Sequence, residues 1–299
     1  MPRSRHGGGR SLPPIQGLVF DVDGTLLLSD RSLGGYELLP GAIETLSALR
    51  QQGFPFVLLT NGSAYAPGDQ AAKMRAIGLP VDDAQMITPS SVTADHMRRT
   101  GIASALVLGV RGVGQALLEA GIETRYNGEP RATEVDAVYV GWHPQCGMPD
   151  IEAAARALWA GAKLYVGSNT PFFATKQGRT IGYSYTIVRA IRGLANVPMI
   201  VTGKPSQHAL RFAAKALGLP ARHIAVVGDD PTVETIMARR GGAVALGVTT
   251  GITSREQWAR LTSTRRPHRV LGGLPEVLRF TGARSRSRRR PRPAPRRPR

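Results

Sequence analysis

Four short apolar runs along the chain each end in a loop of small and polar residues. They cover residues 17–20, 54–59, 198–201 and 223–227. In each run, apolar residues follow one another instead of alternating with polar ones, which is typical of strands buried on both faces of a parallel sheet. The pattern therefore predicts four buried strands with polar loops at their carboxyl ends.

Segments with helical spacing lie between these runs. Residues 41–52 carry apolar side chains at Ile43, Leu46 and Leu49 and are followed by a glycine, which commonly ends helices. Residues 206–217 repeat this form. Strands that alternate with helices predict an α/β fold built on a doubly wound, Rossmann-like parallel sheet. Ligands of such sheets bind beyond the carboxyl ends of the strands, so the polar loops are expected to meet at one site.

The stretch between the second and third of these loops is longer than one strand-to-strand connection requires. It has its own alternation of segments, with strands predicted at 103–108, 135–140 and 163–166 and helices at 113–119 and 150–159. We therefore expect an inserted α/β domain at residues 101–197, between the two parts of a core domain at 14–100 and 198–281.

The positive charge of the chain is concentrated at its two ends. The formal net charge is +18, but nine arginines and no acidic residue lie between 284 and 299, and three more arginines lie within the first ten residues. Without these twelve charges the remainder carries about +6. Rich in Arg, Pro, Gly and Ser, residues 1–13 and 282–299 are predicted to be disordered.

The basic tail at 282–299 allows two interpretations. Such a tail can bind nucleic acid or an anionic surface by releasing counterions. This one lacks aromatic side chains for base stacking and apolar residues for membrane anchoring. The composition favours a solvated extension over a nucleic-acid or membrane partner.

Cysteine usage and hydropathy narrow the class of protein further. Cys146 is the only cysteine, which excludes an internal disulfide framework and zinc sites built from several thiolates. His143 lies near it, but two ligands are too few for a metal site, so a surface or substrate-facing loop of the inserted domain is expected there. The chain has neither an apolar stretch of about 18 residues nor the apolar segment of a secretory signal. We expect a cytoplasmic protein without a transmembrane segment.

The strongest chemical signal is Asp21-Val22-Asp23-Gly24-Thr25, at the end of the first predicted strand. If the strand relaxes into a loop at Gly24, both carboxylates can face a phosphate or a metal ion. One can attack phosphorus, while the other protonates the leaving oxygen and then deprotonates water. The same residues are equally compatible with a strand-to-turn sequence whose acids are solvated.

The other three loops carry side chains that suit the same site. Thr60 and Asn61 can hydrogen-bond phosphate oxygens, and Lys204 can hold negative charges together. Asp229 can complete an oxygen-ligand Mg²⁺ site. Taken singly, these loops also have simpler interpretations: a turn, a solvated lysine, and a helix N-cap at Asp229 or Asp230.

In this order, the four loops resemble the motifs of the haloacid dehalogenase (HAD) superfamily of phosphatases. More narrowly, the chain is similar to subclass IIA, in which a large α/β cap of the C2 type is inserted between the second and third motifs. That subclass includes phosphoglycolate, pyridoxal phosphate, glycerol phosphate, p-nitrophenyl phosphate and nucleotide phosphatases. The resemblance covers about residues 15–280 and includes Leu39-Pro40-Gly41-Ala42, Val140-Gly141 and Gly167-Ser168-Asn169.

The resemblance implies a role for each matched residue. Asp21 would be the nucleophile and a Mg²⁺ ligand, and Asp23 would be the general acid/base with its backbone carbonyl on the metal. Lys204 would orient Asp21 and the phosphate as a further catalytic group, and Asp229 would be the second carboxylate on the metal. The phosphate would be bound by four residues of the second and third loops, Thr60, Asn61, Gly62 and Lys204. Asp230 and Glu234 would not touch the metal but would lie next to its ligands.

Some positions depart from the family pattern. Glu234 stands where relatives often carry an aspartate, and Gly62 replaces a frequently polar residue. In the cap, Gly141-Trp142-His143 replaces the usual Gly-Leu-Asp, and residues 169–178 lack the usual Asn-x-Asp. The catalytic loops therefore match better than the cap, which leaves the substrate less defined than the chemistry.

The favoured hypothesis is a Mg²⁺-dependent phosphatase that acts on a small phosphorylated metabolite through an aspartyl-phosphate intermediate. The resemblance implies a sugar, glycerol, glycolate, nucleotide or pyridoxal phosphate as substrate, a cap that closes over the site, and a homodimer formed through the cap. The alternative hypothesis is a catalytically weak relative that acts as a binding module through its basic tail.

Overall fold

The computed structural model describes most of the chain, namely residues 12–30, 35–175 and 178–281. The two ends for which disorder is predicted lie outside these residues, apart from residues 12 and 13. Within the described ranges, no helix combines the length and the apolarity that crossing a bilayer would require.

The described residues form strands and helices that alternate along most of the chain. In chain order, the strands are β1 (Gly17–Phe20), β2 (Leu27–Ser29), β3 (Tyr36–Leu38), β4 (Phe56–Leu59), β5 (Met86–Ile87), β6 (Ser104–Leu108), β7 (Glu123–Arg125), β8 (Ala137–Val140), β9 (Lys163–Val166), β10 (Phe172–Thr175), β11 (Gly178–Ile181), β12 (Met199–Val201), β13 (Ile224–Gly228), β14 (Val244–Val248) and β15 (Arg269–Leu271). The helices are α1 (Ala42–Gln51), α2 (Pro67–Ala76), α3 (Pro89–Arg99), α4 (Arg111–Glu119), α5 (Met148–Trp159), α6 (Tyr183–Leu194), α7 (Gln207–Leu217), α8 (Ile236–Arg240), α9 (Arg255–Arg260) and α10 (Leu274–Phe280).

Two parallel sheets organise these elements. The first has the spatial order β15-β14-β13-β1-β4-β5. We call this sheet, with helices α1, α2 and α7 to α10, the core layer. The second has the order β12-β9-β8-β6-β7. We call this sheet, with helices α4, α5 and α6, the cap layer. Two antiparallel hairpins, β2–β3 and β10–β11, accompany them. The predicted fold class, an α/β protein with parallel sheets, is confirmed.

Helices on both sides of the core sheet explain why its apolar runs are uninterrupted. In β1, Leu18 and Phe20 pack on the face that α1 covers, and Val19 packs on the face that α7 covers. In β4, Leu58 packs on the α1 face and Val57 packs on the α7 face. Every residue of such a run is removed from water, so no position is left for a polar side chain.

The strand at Met199–Val201 corrects one prediction. Its position in the sequence predicts a strand of the core domain, but the strand pairs in parallel with β9 at the edge of the cap sheet, with Met199 opposite Leu164 and Val201 opposite Val166. The strand is only half-buried, as expected for an edge. The chain therefore leaves the cap sheet immediately before the Lys204 loop.

Helix α3 joins the two layers. It packs against α4 of the cap layer and against α7 of the core layer. Ser90 Oγ lies 3.1 Å from Tyr139 OH on β8, and Thr93 Oγ1 lies 2.7 Å from Thr202 Oγ1. Both pairs are buried, and the Thr93 and Thr202 hydroxyls also contact the carbonyls of Pro89 and Val166. These buried polar contacts favour one relative position of the layers.

Helix α1 offers a test of this packing, because its predicted apolar positions differ in burial. Leu46 is fully buried in the core, whereas Ile43 is 38% exposed. Leu46→Ala should lower the free energy of unfolding by about 2–5 kcal/mol, since it leaves a cavity. Ile43→Ala on the same helix is the matched control and should cost about 1 kcal/mol or less. Urea denaturation measures both, and equal losses would contradict this assignment of the core face.

Candidate active site

Three neighbouring strands of the core sheet bring polar side chains to one edge. Asp229 follows β13, Asp21 follows β1 and Thr60 follows β4, and all three side chains are buried. The strands are parallel, so their carboxyl ends open at the same edge, where ligands of such sheets bind. The structure thus brings together the residues of three predicted loops.

Asp21 lies at the centre of this edge. Its Oδ1 forms an ion pair with Lys204 Nζ, and its Oδ2 accepts a hydrogen bond from Thr25 Oγ1 at 2.9 Å. The chain turns just after it, where Gly24 has a φ of 86° and donates its amide hydrogen to the Leu27 carbonyl at 2.8 Å. The segment therefore forms the turn that its sequence suggests, but the Asp21 carboxylate is buried and not solvated.

Two glycines allow the close approach of Asp229. A Cβ atom at Gly24 or at Gly251 would overlap the Asp229 carboxylate, so both loops approach it more closely than larger residues would permit. Asp229 Oδ2 accepts a hydrogen bond from the Ile252 amide at 2.8 Å. The side chain is therefore fixed beside the Asp21 loop and does not serve as a helix N-cap.

Lys204 is buried and has a second carboxylate partner, Glu234, whose Oε1 lies 2.7 Å from Nζ. Glu234 belongs to a π-helical turn, Pro231–Thr235. Asp230 begins that turn by accepting a hydrogen bond from the Thr232 amide at 2.7 Å. The two residues predicted to lie behind the metal ligands therefore differ: Glu234 contacts the lysine, and Asp230 is an N-cap.

Two buried carboxylates, Asp21 and Glu234, contact the Lys204 ammonium group, and a third, Asp229, lies close to both of them, so the site holds more carboxylates than cations. Burial raises the pKa of Asp229 well above its usual range, and the charges of Asp21 and Glu234 raise it further. Burial also raises the pKa of Glu234 to about 7, although Lys204 opposes the shift. Burial acts to lower the pKa of Lys204, but Asp21 and Glu234 outweigh it and raise that pKa. Negative charge is therefore in excess at the site.

The same carboxylates form a cluster that suits a divalent cation. Asp21, Asp229 and Glu234 each offer an oxygen, and the three oxygens lie within 4.8 Å of one another. Buried oxygen donors with excess negative charge match the preference of Mg²⁺. The cluster adds Glu234 to the predicted ligands, which are Asp21, Asp229 and the backbone carbonyl of Asp23.

Asp23 borders a small cavity next to this cluster. The cavity is also lined by Tyr36, Tyr65 and the Thr60 loop. Burial raises the pKa of Asp23 to about 6; a hydrogen bond from Ser29 Oγ opposes the shift, and the charge of Asp21 adds to it. A carboxyl group with this pKa is able to exchange protons near neutral pH.

Asn61 makes contacts that its sequence position does not predict. Its Nδ2 donates to the Lys204 carbonyl at 3.0 Å, and its Oδ1 accepts from the Lys204 amide at 2.7 Å. In the same loop, Thr60 Oγ1 accepts a hydrogen bond from the Gly62 amide at 2.8 Å. The Asn61 side chain therefore fixes the main chain of Lys204, while phosphate binding by Thr60, Asn61 and Gly62 stays a prediction.

Loops of the cap layer contact the core layer beside these residues. A Cβ atom at Gly203 would overlap the Gly167 carbonyl, so the Lys204 loop lies tightly against the loop that follows β9. The Trp142 amide, after β8, donates to Ser63 Oγ at 3.0 Å. The cap layer thus touches both the second and the third predicted motif.

Comparisons with known proteins agree with this arrangement. A family model described as haloacid dehalogenase-like hydrolase matches residues 18–123, and a HAD-hydrolase-like model matches residues 201–277. Together these matches span more than half of the chain. The chain belongs to the haloacid dehalogenase-like hydrolases. The predicted family is therefore confirmed.

Individual HAD relatives resemble the chain over most of their length. It is 26% identical over 242 residues to a 5′-nucleotidase of Bacillus subtilis, covering 81% of this chain and 90% of that protein. It is 26% identical over 266 residues to a sugar phosphatase of the same organism, covering 88% and 92%. A glycerol phosphate phosphatase of Mycobacterium tuberculosis, solved in complex with magnesium, has the same fold, with a TM-score of 0.76, 24% identity and coverage of 88% and 76%.

The raised pKa of Glu234 predicts a pH dependence of stability. Its ordinary value is 4.5 and its folded value is about 7, so the folded protein binds more protons than the unfolded chain between these pH values. In EDTA, the contribution of Glu234 to the free energy of unfolding should therefore decrease as the pH rises from about 4.5 to about 7. Urea denaturation over a pH series measures the slope.

Glu234→Gln should reduce that slope, because an amide does not titrate in this range. Glu44→Gln, at an exposed position of α1, is the matched control and should leave the slope unchanged. Added Mg²⁺ should offset the loss at the upper end of the range. Identical slopes in the wild type and in Glu234→Gln would contradict the assignment.

Proposed function

We propose that the protein is a Mg²⁺-dependent phosphatase that hydrolyses a small phosphomonoester through an aspartyl-phosphate intermediate. The observation that supports this most directly is the set of contacts around Asp21. Its carboxylate contacts the Lys204 ammonium group and shares an oxygen cluster with Asp229 and Glu234. A nucleophile, a cation-binding cluster and a nearby proton donor, Asp23, are the groups that phosphoryl transfer requires.

In the first step, an Asp21 oxygen attacks phosphorus, and the bond between phosphorus and the leaving oxygen breaks. Asp23 gives its proton to that oxygen, so the leaving group departs as a neutral alcohol. Lys204 stabilises the negative charge on the phosphoryl oxygens from a buried, fixed position. The loop of Thr60 and Asn61 would hold the remaining phosphoryl oxygens through hydrogen bonds.

In the second step, a water oxygen attacks the phosphorus of the aspartyl phosphate while Asp23 takes a proton from that water. The bond between phosphorus and the Asp21 oxygen breaks, inorganic phosphate leaves, and Asp21 is again a free carboxylate. Asp23 ends protonated, ready for the next ester. A pKa of about 6 suits a group that must both give and accept a proton near neutral pH.

The divalent ion would be held by Asp21, Asp229 and the backbone carbonyl of Asp23, with the Glu234 carboxylate as a further oxygen donor. When bound, it would supply positive charge that lets an anionic ester approach an anionic nucleophile. The excess of buried carboxylates supports this assignment, and a relative of the same fold is named as a magnesium complex. Mg²⁺ is therefore the ion we assign to the site.

The cap layer is the part of the chain that we expect to select the substrate. The β10–β11 hairpin lies between β9 and α6 of the cap layer in the chain and contacts β2. Ser29 of β2 donates a hydrogen bond to the Asp23 side chain, so the hairpin would face the leaving group that Asp23 protonates. Relatives are named for nucleotides, sugar phosphates and glycerol phosphate, which are all small polar phosphomonoesters. We infer a small phosphorylated metabolite as the substrate.

Asp21→Asn should reduce phosphate release by at least about a thousandfold, because a carboxamide cannot replace the attacking carboxylate. The assay uses p-nitrophenyl phosphate and a panel of sugar, glycerol, glycolate and nucleotide phosphates, with Mg²⁺ and after EDTA treatment. Asp83→Asn, at an exposed ion pair with Arg75, is the matched control. Substantial activity in Asp21→Asn would refute the nucleophile, and a wild type inactive on every ester would favour the binding-module hypothesis.

Asp23→Asn should separate the two steps. p-Nitrophenolate leaves without protonation, so the first step continues with this ester, whereas the attack of water loses its base. We expect a burst of about one nitrophenolate per protein molecule and then slow turnover. Rapid-mixing absorbance measures the burst, and intact-protein mass spectrometry detects the added phosphoryl group. A folded variant that turns over like the wild type would show that Asp23 is not the proton-transfer group.

A further inference from the structure

A second cluster of metal-binding side chains lies in the cap layer, outside the site described above. His143 and Cys146 belong to the loop that follows β8, and Asp150 lies in the first turn of α5. One potential ligand atom from each residue lies within 4.8 Å of the other two. His143 Nε2 is 3.5 Å from Asp150 Oδ2. The sequence alone suggested two ligands, and the fold supplies the third.

One ring nitrogen of His143 and the sulfur of Cys146 have weak or no hydrogen bonds among the described residues. His143 Nδ1 is buried and has no hydrogen-bond partner among the described residues. The Cys146 thiol reaches the Gly147 carbonyl only at 4.0 Å, the outer limit of a sulfur hydrogen bond. Buried polar atoms without partners are uncommon in folded proteins, and a bound ion is one established reason for them.

The carboxylate, in contrast, is held in place. Asp150 Oδ2 accepts a hydrogen bond from the Gly147 amide at 2.8 Å, and Oδ1 accepts one from Asn127 Nδ2 at 3.1 Å. Each carboxylate oxygen can accept more than one bond, so these donors orient Asp150 without exhausting its lone pairs. Supporting hydrogen bonds of this kind commonly orient metal ligands.

We propose that His143, Cys146 and Asp150 form a Zn²⁺ site with a fourth position open to water or to another ligand. An imidazole nitrogen, a thiolate and a carboxylate are each common zinc ligands, and three protein ligands with one open position is an established tetrahedral arrangement. Thiolate and imidazole favour Zn²⁺ over Mg²⁺, which prefers oxygen. One thiolate and one carboxylate also balance the charge of the ion.

The position of the cluster gives the site a structural consequence. Trp142, directly before His143, donates its amide hydrogen to Ser63 Oγ in the core layer, and its carbonyl accepts a hydrogen bond from Val110. A metal ion at His143 would therefore fix a cap loop that contacts the loop containing Thr60 and Asn61. The ion would stabilise the junction of the two layers.

Cobalt spectroscopy tests the site independently of any phosphatase activity. The full-length protein is stripped with EDTA and titrated with Co²⁺ in the presence of Mg²⁺, which keeps the carboxylate cluster occupied. Only a thiolate ligand gives an intense near-ultraviolet charge-transfer band, and Cys146 is the only cysteine, so the band reports on this site alone. We expect the band to saturate at one equivalent and to disappear when Zn²⁺ displaces Co²⁺.

Three variants identify the ligands. Cys146→Ser should abolish the band, and His143→Asn and Asp150→Asn should each weaken Co²⁺ binding at least tenfold. Asp150→Asn retains an oxygen that can accept from the Gly147 amide, so the start of α5 is preserved. His223→Asn, in a turn of the core layer, is the matched control and should bind as the wild type does.

A second measurement needs no variant and so does not depend on their folding. Zn²⁺ should slow the reaction of Cys146 with a thiol reagent by at least tenfold, whereas Mg²⁺ should not. Absence of the charge-transfer band at saturating Co²⁺, equal thiol reactivity with and without Zn²⁺, or full-affinity binding by His143→Asn and Asp150→Asn would each overturn the proposal.

Discussion

The balance of charge around Lys204 is the constraint on which the site depends. Its ammonium group is buried between carboxylates that follow two different strands, Asp21 after β1 and Glu234 after β13. Removing one partner of a buried ion pair typically costs about 3–5 kcal/mol, because the remaining charge is left uncompensated. Asn61, after β4, holds the lysine main chain. One residue therefore links the loops of three adjacent strands, and the loops cannot be placed independently.

The core sheet could be predicted because burial on both faces leaves a distinct pattern. β1 has the predicted limits, and α7 begins and ends within one residue of its prediction, at an N-cap on Ser206 and a left-handed Gly218. The strand Met199–Val201 could not be assigned to its sheet. Strands pair through backbone hydrogen bonds, which any short apolar run can make. The pairing of Met199–Val201 with β9 is therefore determined by the tertiary fold and not by its own residues.

The site could be predicted where its chemistry is local. Asp21 and Asp23 lie in one short segment. The contact between Asn61 and Lys204, in contrast, joins residues 143 positions apart. The pair Asn61-Gly62 is also a favoured turn sequence, so the sequence alone predicts a turn there and not this contact. Glu234 is a departure from the family pattern that the structure accommodates. A Cβ atom at Gly228 would overlap its side chain, so the longer acid fits over a glycine and still reaches the lysine. The substitution is therefore no argument for an inactive site.

The two proposed metal sites differ in their donor atoms. The core cluster offers carboxylate oxygens, and the cap cluster offers nitrogen, sulfur and oxygen. Selectivity among divalent ions follows donor type and geometry, so Mg²⁺ and Zn²⁺ would bind in one protein with little competition. The cap cluster begins at His143, in the segment Gly141-Trp142-His143, which the sequence comparison with the family pattern marks as a departure. A change in this loop can therefore alter how the cap meets the core without altering the groups that act on phosphorus.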